Sequence, residues 1–198
     1  MLCLSLAACS LFQPLNGPAL TAREQSQLQA RRQALATVQS YYLSARLALR
    51  ADNGAWNGSL RWEQRPDSYV MNFNSPTGQG ALQLSGGADG VQLKLANGEI
   101  QNADDAEDLL YNQTGLNFPL HGLRYWVMGL PQPADESLRA LRLDAQGRIT
   151  SLSQSGWSIN YSRYQTVDGL EMPRKLELKN NELSIRLFID RWELSRKP

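Results

Sequence analysis

The chain has 198 residues, 42% of them hydrophobic, which is enough to fill one core and gives no reason to divide it. Its 20 Lys and Arg nearly balance 19 Asp and Glu, and the basic residues are scattered rather than banked, which argues against nucleic acid as a partner. Both cysteines lie in the first nine residues, so the rest of the chain can hold neither a disulfide nor a thiolate metal site.

The start of the chain, MLCLSLAAC, is apolar, and Leu6-Ala7-Ala8-Cys9 has the pattern of a bacterial lipobox. Small residues there let a peptidase cut before a lipid-modified cysteine. Cys9 is therefore the expected lipidation site, and the following SLFQPLNGPAL reads as a tether. Eight residues precede Cys9 and none is basic, fewer than an ordinary signal peptide has, so the translation start is expected upstream. Residues 1–20 are read as signal remnant, lipidated cysteine and tether, and residues 21–198 as a single domain.

From Thr21 to about Tyr42 the pattern predicts a helix: Thr21 and Glu24 make a capping box, and Leu28, Leu35, Val38 and Tyr42 recur on one side. Alternation then takes over. Leu43, Ala45, Leu47 and Leu49 and, after the turn Asp52-Asn53-Gly54, Trp56, Leu60 and Trp62 predict a hairpin with one apolar face. Tyr69, Met71 and Phe73 continue it, followed by a turn at 75–78, then Leu82 and Leu84, then Val91, Leu93 and Leu95, with a short segment near Ile100.

Residues 104–133 change period. Asp104 with Glu107 starts a short acidic helix carrying Leu109 and Leu110, which Gly115 stops. Pro119 suits the first position of a second helix, in which Leu120, Leu123, Trp126, Val127 and Leu130 form one stripe that Gly129 and Pro131 end. Two readings stand: the helices plug the end of a sheet, or they form a lid over an apolar chamber within it.

Alternation resumes at Leu141, Ile149, Trp157 to Tyr161, Met172 to Leu178 and Leu183 to Ile189. Pro173 is expected at an edge or a strand start, and the slip in phase to Trp192 and Leu194 predicts a bulge. Ten or eleven short strands, mostly joined by short turns, favour one curved antiparallel sheet or open barrel over a stacked sandwich. The fold class is thus mainly β with α, a single highly curved sheet with an N-terminal helix and a helical cover.

No residues for catalysis stand out. The lone His121 has no metal-ligand spacing around it, and the acids at 104–108 lack the spacing of a calcium loop and suit a helix start. Gly78-Gln79-Gly80 and Gly86-Gly87 are not phosphate loops, since neither opens a helix or carries the required lysine. The sequence is read as non-enzymatic, without cofactor or metal. On pattern alone the aromatic-rich alternating face fits a filled core; together with the lipid anchor it also fits the wall of a chamber for acyl chains.

Five segments, WNGSLRW at 56–62, NSPTG at 74–78, ADDAE at 103–107, LRYWVMGLP at 123–131 and IDRW at 189–192, resemble in order and spacing the outer-membrane lipoprotein LolB family. The resemblance runs from the lipobox to the C-terminus. It implies an unclosed antiparallel β-barrel whose helices form a lid over a hydrophobic cavity, a monomer anchored through the Cys9 lipid to the periplasmic face of the outer membrane. It further implies that client lipoproteins arrive from the soluble carrier LolA and leave into that membrane. Three acyl chains carry on the order of 45 methylenes, and at about 0.8 kcal/mol each their exposure would cost tens of kcal/mol, so a relay of apolar cavities is needed.

On that reading the acyl-chain cavity is lined by Trp56, Leu60, Trp62, Met71, Phe73, Leu82 and Leu84, and the lid presents Leu109, Leu110, Leu123, Trp126 and Val127. The resemblance also implies a membrane-delivery loop at Pro76, Thr77 and Gly78, where this chain carries Thr77 in place of the bulky apolar residue, usually leucine, of the family. An alternative is a lipid-anchored binding module for a small apolar ligand with no handover. A third is a structural envelope lipoprotein whose core is filled.

Overall fold

The computed structural model describes residues 20–52, 54–76, 81–133 and 137–197. Helix α1 (Ala22–Leu35) opens on the expected capping box: Thr21 accepts from the Glu24 amide and Glu24 reaches back to the Thr21 amide at 2.9 Å. The helix is shorter than expected. Residues 38–42 belong instead to β1 (Val38–Ala51), where the β-branched Val38 and two tyrosines pair across the sheet, and long-range pairing overrides the apparent helical period.

The remaining strands are β2 (Gly54–Gln64), β3 (Tyr69–Asn74), β4 (Leu82–Gly87), β5 (Gly90–Leu95) and β6 (Ile100–Ala103). Two helices, α2 (Ala106–Thr114) and α3 (Leu120–Trp126), lead to β7 (Ala140–Leu143), β8 (Ile149–Gln154), β9 (Trp157–Val167), β10 (Leu170–Lys179) and β11 (Leu183–Arg196). All eleven form one sheet in the order β6-β5-β4-β3-β2-β1-β11-β10-β9-β8-β7. Each half is an antiparallel meander, and the first and last strands zip the halves together at the centre. The edges β6 and β7 are not paired with each other, so the curved sheet stays unclosed. Helices α2 and α3 form the link between those two edges.

Alternation makes the concave side apolar: Leu43, Leu60, Leu84, Leu93, Ile159, Leu178 and Ile185 are fully buried on it. The predicted bulge is present. Register shifts between Ser44 and Ala45 opposite Arg191 and Ile189, which leaves Asp190 without a partner residue and turns Trp192 inward. Pro173 departs from expectation, since it lies inside β10, at neither an edge nor a strand start. A bulge next to it skips Arg174, and pairing with β11 begins only at Lys175, so its missing N–H removes no ladder bond on that side.

The cap of α2 is Asp105 rather than Asp104: its backbone is extended and its carboxylate accepts from the amides of Glu107 (2.7 Å) and Asp108 (3.1 Å). Gly115, at φ 70°, stops the helix as expected. Pro119 stands at the N-cap of α3, one residue before the position expected for it. Among the described residues no helix is long and apolar enough to cross a membrane.

Candidate functional site

The concave face is built from cross-strand rows. One row runs Leu43, Trp62, Met71, Leu84, Leu93, and the next Ala45, Leu60, Phe73, Leu82, Leu95. Openings lie beyond these rows at opposite ends of the strands. At the end near the β3–β4 connection an apolar pocket of about 290 Å³ is lined by Leu49, Trp56, Phe73 and Leu82 from the sheet, Leu110 and Thr114 from α2, and Leu116 and Phe118 from the α2–α3 connection. The Phe118 ring meets Phe73 edge-on at 6.1 Å. Among the described lining residues Thr114 carries the one hydroxyl, and it is used locally, donating to Leu110 O at 2.6 Å and accepting from the Leu116 amide at 3.2 Å. Nothing in this lining asks for a polar ligand.

A second opening of about 280 Å³, at the other end, is mixed. Trp62, Tyr69, Met71 and Leu120 share it with Asp105, His121 and Arg124. His121 is exposed on α3, with Nδ1 3.0 Å from Glu107 and Nε2 3.5 Å from Asp105. The Glu107 carboxylate also accepts from the His121 amide at 2.8 Å, so it joins α2 to α3 rather than completing a capping box.

Of the residues proposed for the cavity, Trp56, Phe73 and Leu82 line the apolar pocket and Trp62 and Met71 the mixed one, while Leu60 and Leu84 lie fully buried between the two. Of those proposed for the lid, Leu110 faces the apolar pocket, and Leu109, Leu123, Trp126 and Val127 are buried in the core. Sequence reasoning did not single out Leu49, Thr114, Leu116 or Phe118 as lining residues. Pro76 is exposed, and Thr77, Gly78 and Cys9 lie outside the described residues.

The two helices are held differently. The end of α3 and the turn after it are stapled: Tyr161 donates to Trp126 O (2.8 Å), and the Arg31 guanidinium donates to Met128 O (2.8 Å), Gly129 O (2.9 Å) and, on β10, Glu171 O (3.0 Å). Burial pushes the Arg31 pKa below and the Tyr161 pKa well above the usual values. Helix α2 is held by apolar contacts of Ala106, Leu109 and Leu110 and by the exposed Glu107–His121 contacts. The hydrogen bonds that tie α2 to its neighbours, Glu107 to the His121 amide and Gln101 to Gln113, lie at the surface, whereas those that hold the end of α3 are buried or part-buried.

The family model described as outer membrane lipoprotein LolB matches residues 39–192, a span that covers both meanders and both helices. The chain belongs to the LolB family. It is 40% identical over 189 residues to the outer-membrane lipoprotein LolB of Nitrosococcus oceani, covering 96% of this chain and 92% of that one. It is also 36% identical over 193 residues to that of Alkalilimnicola ehrlichii, covering 97% and 93%. Among solved structures, a LolA superfamily protein from Nitrosomonas europaea superposes with a TM-score of 0.54 at 10% identity, over 91% of this chain and 96% of that one. This chain and that one thus share a fold.

Proposed function

We propose that the chain is an outer-membrane lipoprotein receptor, anchored through Cys9 on the periplasmic side, that takes client lipoproteins from the carrier LolA and releases them into the membrane. The role is holding and transfer rather than catalysis. The observation that carries it is the apolar pocket between the β1–β4 face and α2, whose described lining residues hold no buried side-chain nitrogen or oxygen without a partner. A methylene takes about 30 Å³, the share of a liquid water molecule, so 290 Å³ holds roughly ten of them, part of one acyl chain. Loading three chains requires α2 to swing away from the sheet, and the stapled α3 stays as the fixed wall. Rising affinity from carrier to receptor to bilayer gives direction without a nucleotide.

The test mixes the full chain carrying Cys9→Ala with a purified LolA–lipoprotein complex and follows which protein holds the lipoprotein. Transfer is expected, and Leu116→Gln, which places an amide on the pocket wall, is expected to lower it several-fold while the chain stays folded. The volume of the pocket favours a second reading, a self-contained binder of one small apolar molecule. Uptake of bis-ANS without any transfer from LolA would establish that reading instead.

Delivery is assigned to Pro76, Thr77 and Gly78 of the β3–β4 connection. Thr77 is a weaker membrane probe than leucine, so Thr77→Leu is expected to speed release into liposomes. Unchanged release with normal acceptance would remove the loop from the mechanism.

A further inference from the structure

On the outer face of the sheet, away from the apolar pocket, an open groove of about 540 Å³ crosses β2, β1, β11 and β10. Its floor is small and polar, with Asn57 and Ser59 on β2, and one wall is Asn74 to Pro76. The opposite side is basic. Arg46, Lys175 and Arg186 line it, and Phe188 lies among them, with the Arg46 guanidinium 4.2 Å and the Arg174 guanidinium 5.2 Å from its ring centroid. Two carboxylates answer these four cations: Asp190 pairs with Arg46 at 3.0 Å and Glu177 with Arg186 at 3.0 Å. Arg174 and Lys175 make no ion pair among the described residues.

We infer that this groove seats the phosphodiester headgroups of membrane lipids and so sets which way the receptor faces the bilayer. Guanidinium forks match phosphate oxygens, and an aromatic ring at the level of the cations fits the boundary between headgroups and acyl chains. Backbone strand addition by an acidic peptide is excluded here, because β2, β1, β11 and β10 are all interior strands paired on both sides. The inference goes beyond the receptor reading and does not depend on the pocket.

The full chain carrying Cys9→Ala, which cannot be lipidated, is sedimented with vesicles of phosphatidylethanolamine and phosphatidylglycerol, and with vesicles of phosphatidylcholine alone. Tighter binding to the anionic vesicles is expected, falling with salt. Arg174→Gln with Lys175→Gln is expected to weaken it about 25-fold, at about fivefold for each basic residue near an anionic surface. Lys94→Gln with Arg142→Gln removes the same charge from the exposed faces of β5 and β7 and is expected to change little. Equal loss in both double variants, or none in the first, overturns the inference. So does displacement by millimolar inorganic phosphate at constant ionic strength, which would make the groove a free-phosphate site. Loss of LolA binding with unchanged vesicle binding would assign the groove to a protein partner and overturn it as well. Uptake of bis-ANS, read on the same variants, is expected to stay unchanged, which separates failure here from failure of the pocket reading.

Discussion

The side-chain oxygen of Gln154, on β8, accepts the indole N–H of Trp126 at 3.0 Å in the interior, where Trp126 is fully buried and Gln154 is 1% exposed. The same oxygen accepts from the Gln132 amide at 2.9 Å, and the Gln154 amide donates to Gln132 O at 3.0 Å. One side chain thus satisfies the buried indole and the backbone that follows α3. Gln154→Leu leaves three groups without partners, and the expected loss is about 3 kcal/mol of stability, read as a lowered urea midpoint at unchanged m-value.

Gly58 faces inward beneath the Trp56 ring. A Cβ there would stand 2.3 Å from the Trp56 ring edge and 2.3 Å from the Asn74 carbonyl oxygen. Gly58→Ala is expected to cost about 1–3 kcal/mol by overpacking and to push Trp56 into the apolar pocket. Weaker bis-ANS binding, compared at a temperature where both proteins are folded, checks this.

The unequal anchoring of the helices predicts unequal opening. Native-state hydrogen exchange is expected to show α2 amides, such as those of Leu110 and Thr114, exchanging at lower opening free energy than the Leu123 and Val127 amides of α3. Arg31→Met keeps the apolar stem but removes the three bonds to carbonyls. It is expected to lower overall stability by about 2–4 kcal/mol and to narrow the difference between the helices.

Arg148 bridges Asp144 at 2.8 Å and Glu171 at 3.0 Å, joining the β7–β8 turn to β10. The Glu171 pKa lies below the usual value, first through the Thr166 hydroxyl and then through Arg148. For Asp144 burial acts upward, but hydrogen bonds from the Arg148 amide and side chain and the Gln146 amide outweigh it, and the net direction is also down. With both folded values lowered, the unfolded chain binds more protons in the acid range. This stabilisation is complete above the ordinary carboxylate range, about pH 4–5, and is lost as pH falls through the lowered values. Arg148→Met is expected to flatten the acid limb of stability against pH and to leave its shape near pH 7 unchanged.

Local chemistry made much of the fold legible. Alternation located the strands, the slip of phase at Trp192 located the bulge beside Asp190, and Gly115 located the stop of α2. Pairing between distant segments was not legible. Residues 38–42 read as helix because the β11 segment that recruits them lies some 150 residues away in sequence. In the site, Trp56, Phe73 and Leu82 carried the strand period, whereas Leu116 and Phe118 lie in an irregular connection that offers no period to follow. The outer groove could not be read at all, because it exists only once β1 and β11 are side by side.

That central seam has a consequence for biogenesis. In most meanders the last strand made is an edge, and losing it frays the rim. Here β11 is the keystone between two half-sheets, and without it both Leu47 and Leu176 would face an open flank. A continuous sheet therefore requires β11, and a chain lacking it is expected to present two unpaired half-sheet edges to proteases rather than a slightly smaller receptor. The topology makes the integrity of β11 a condition for the whole sheet rather than for its rim.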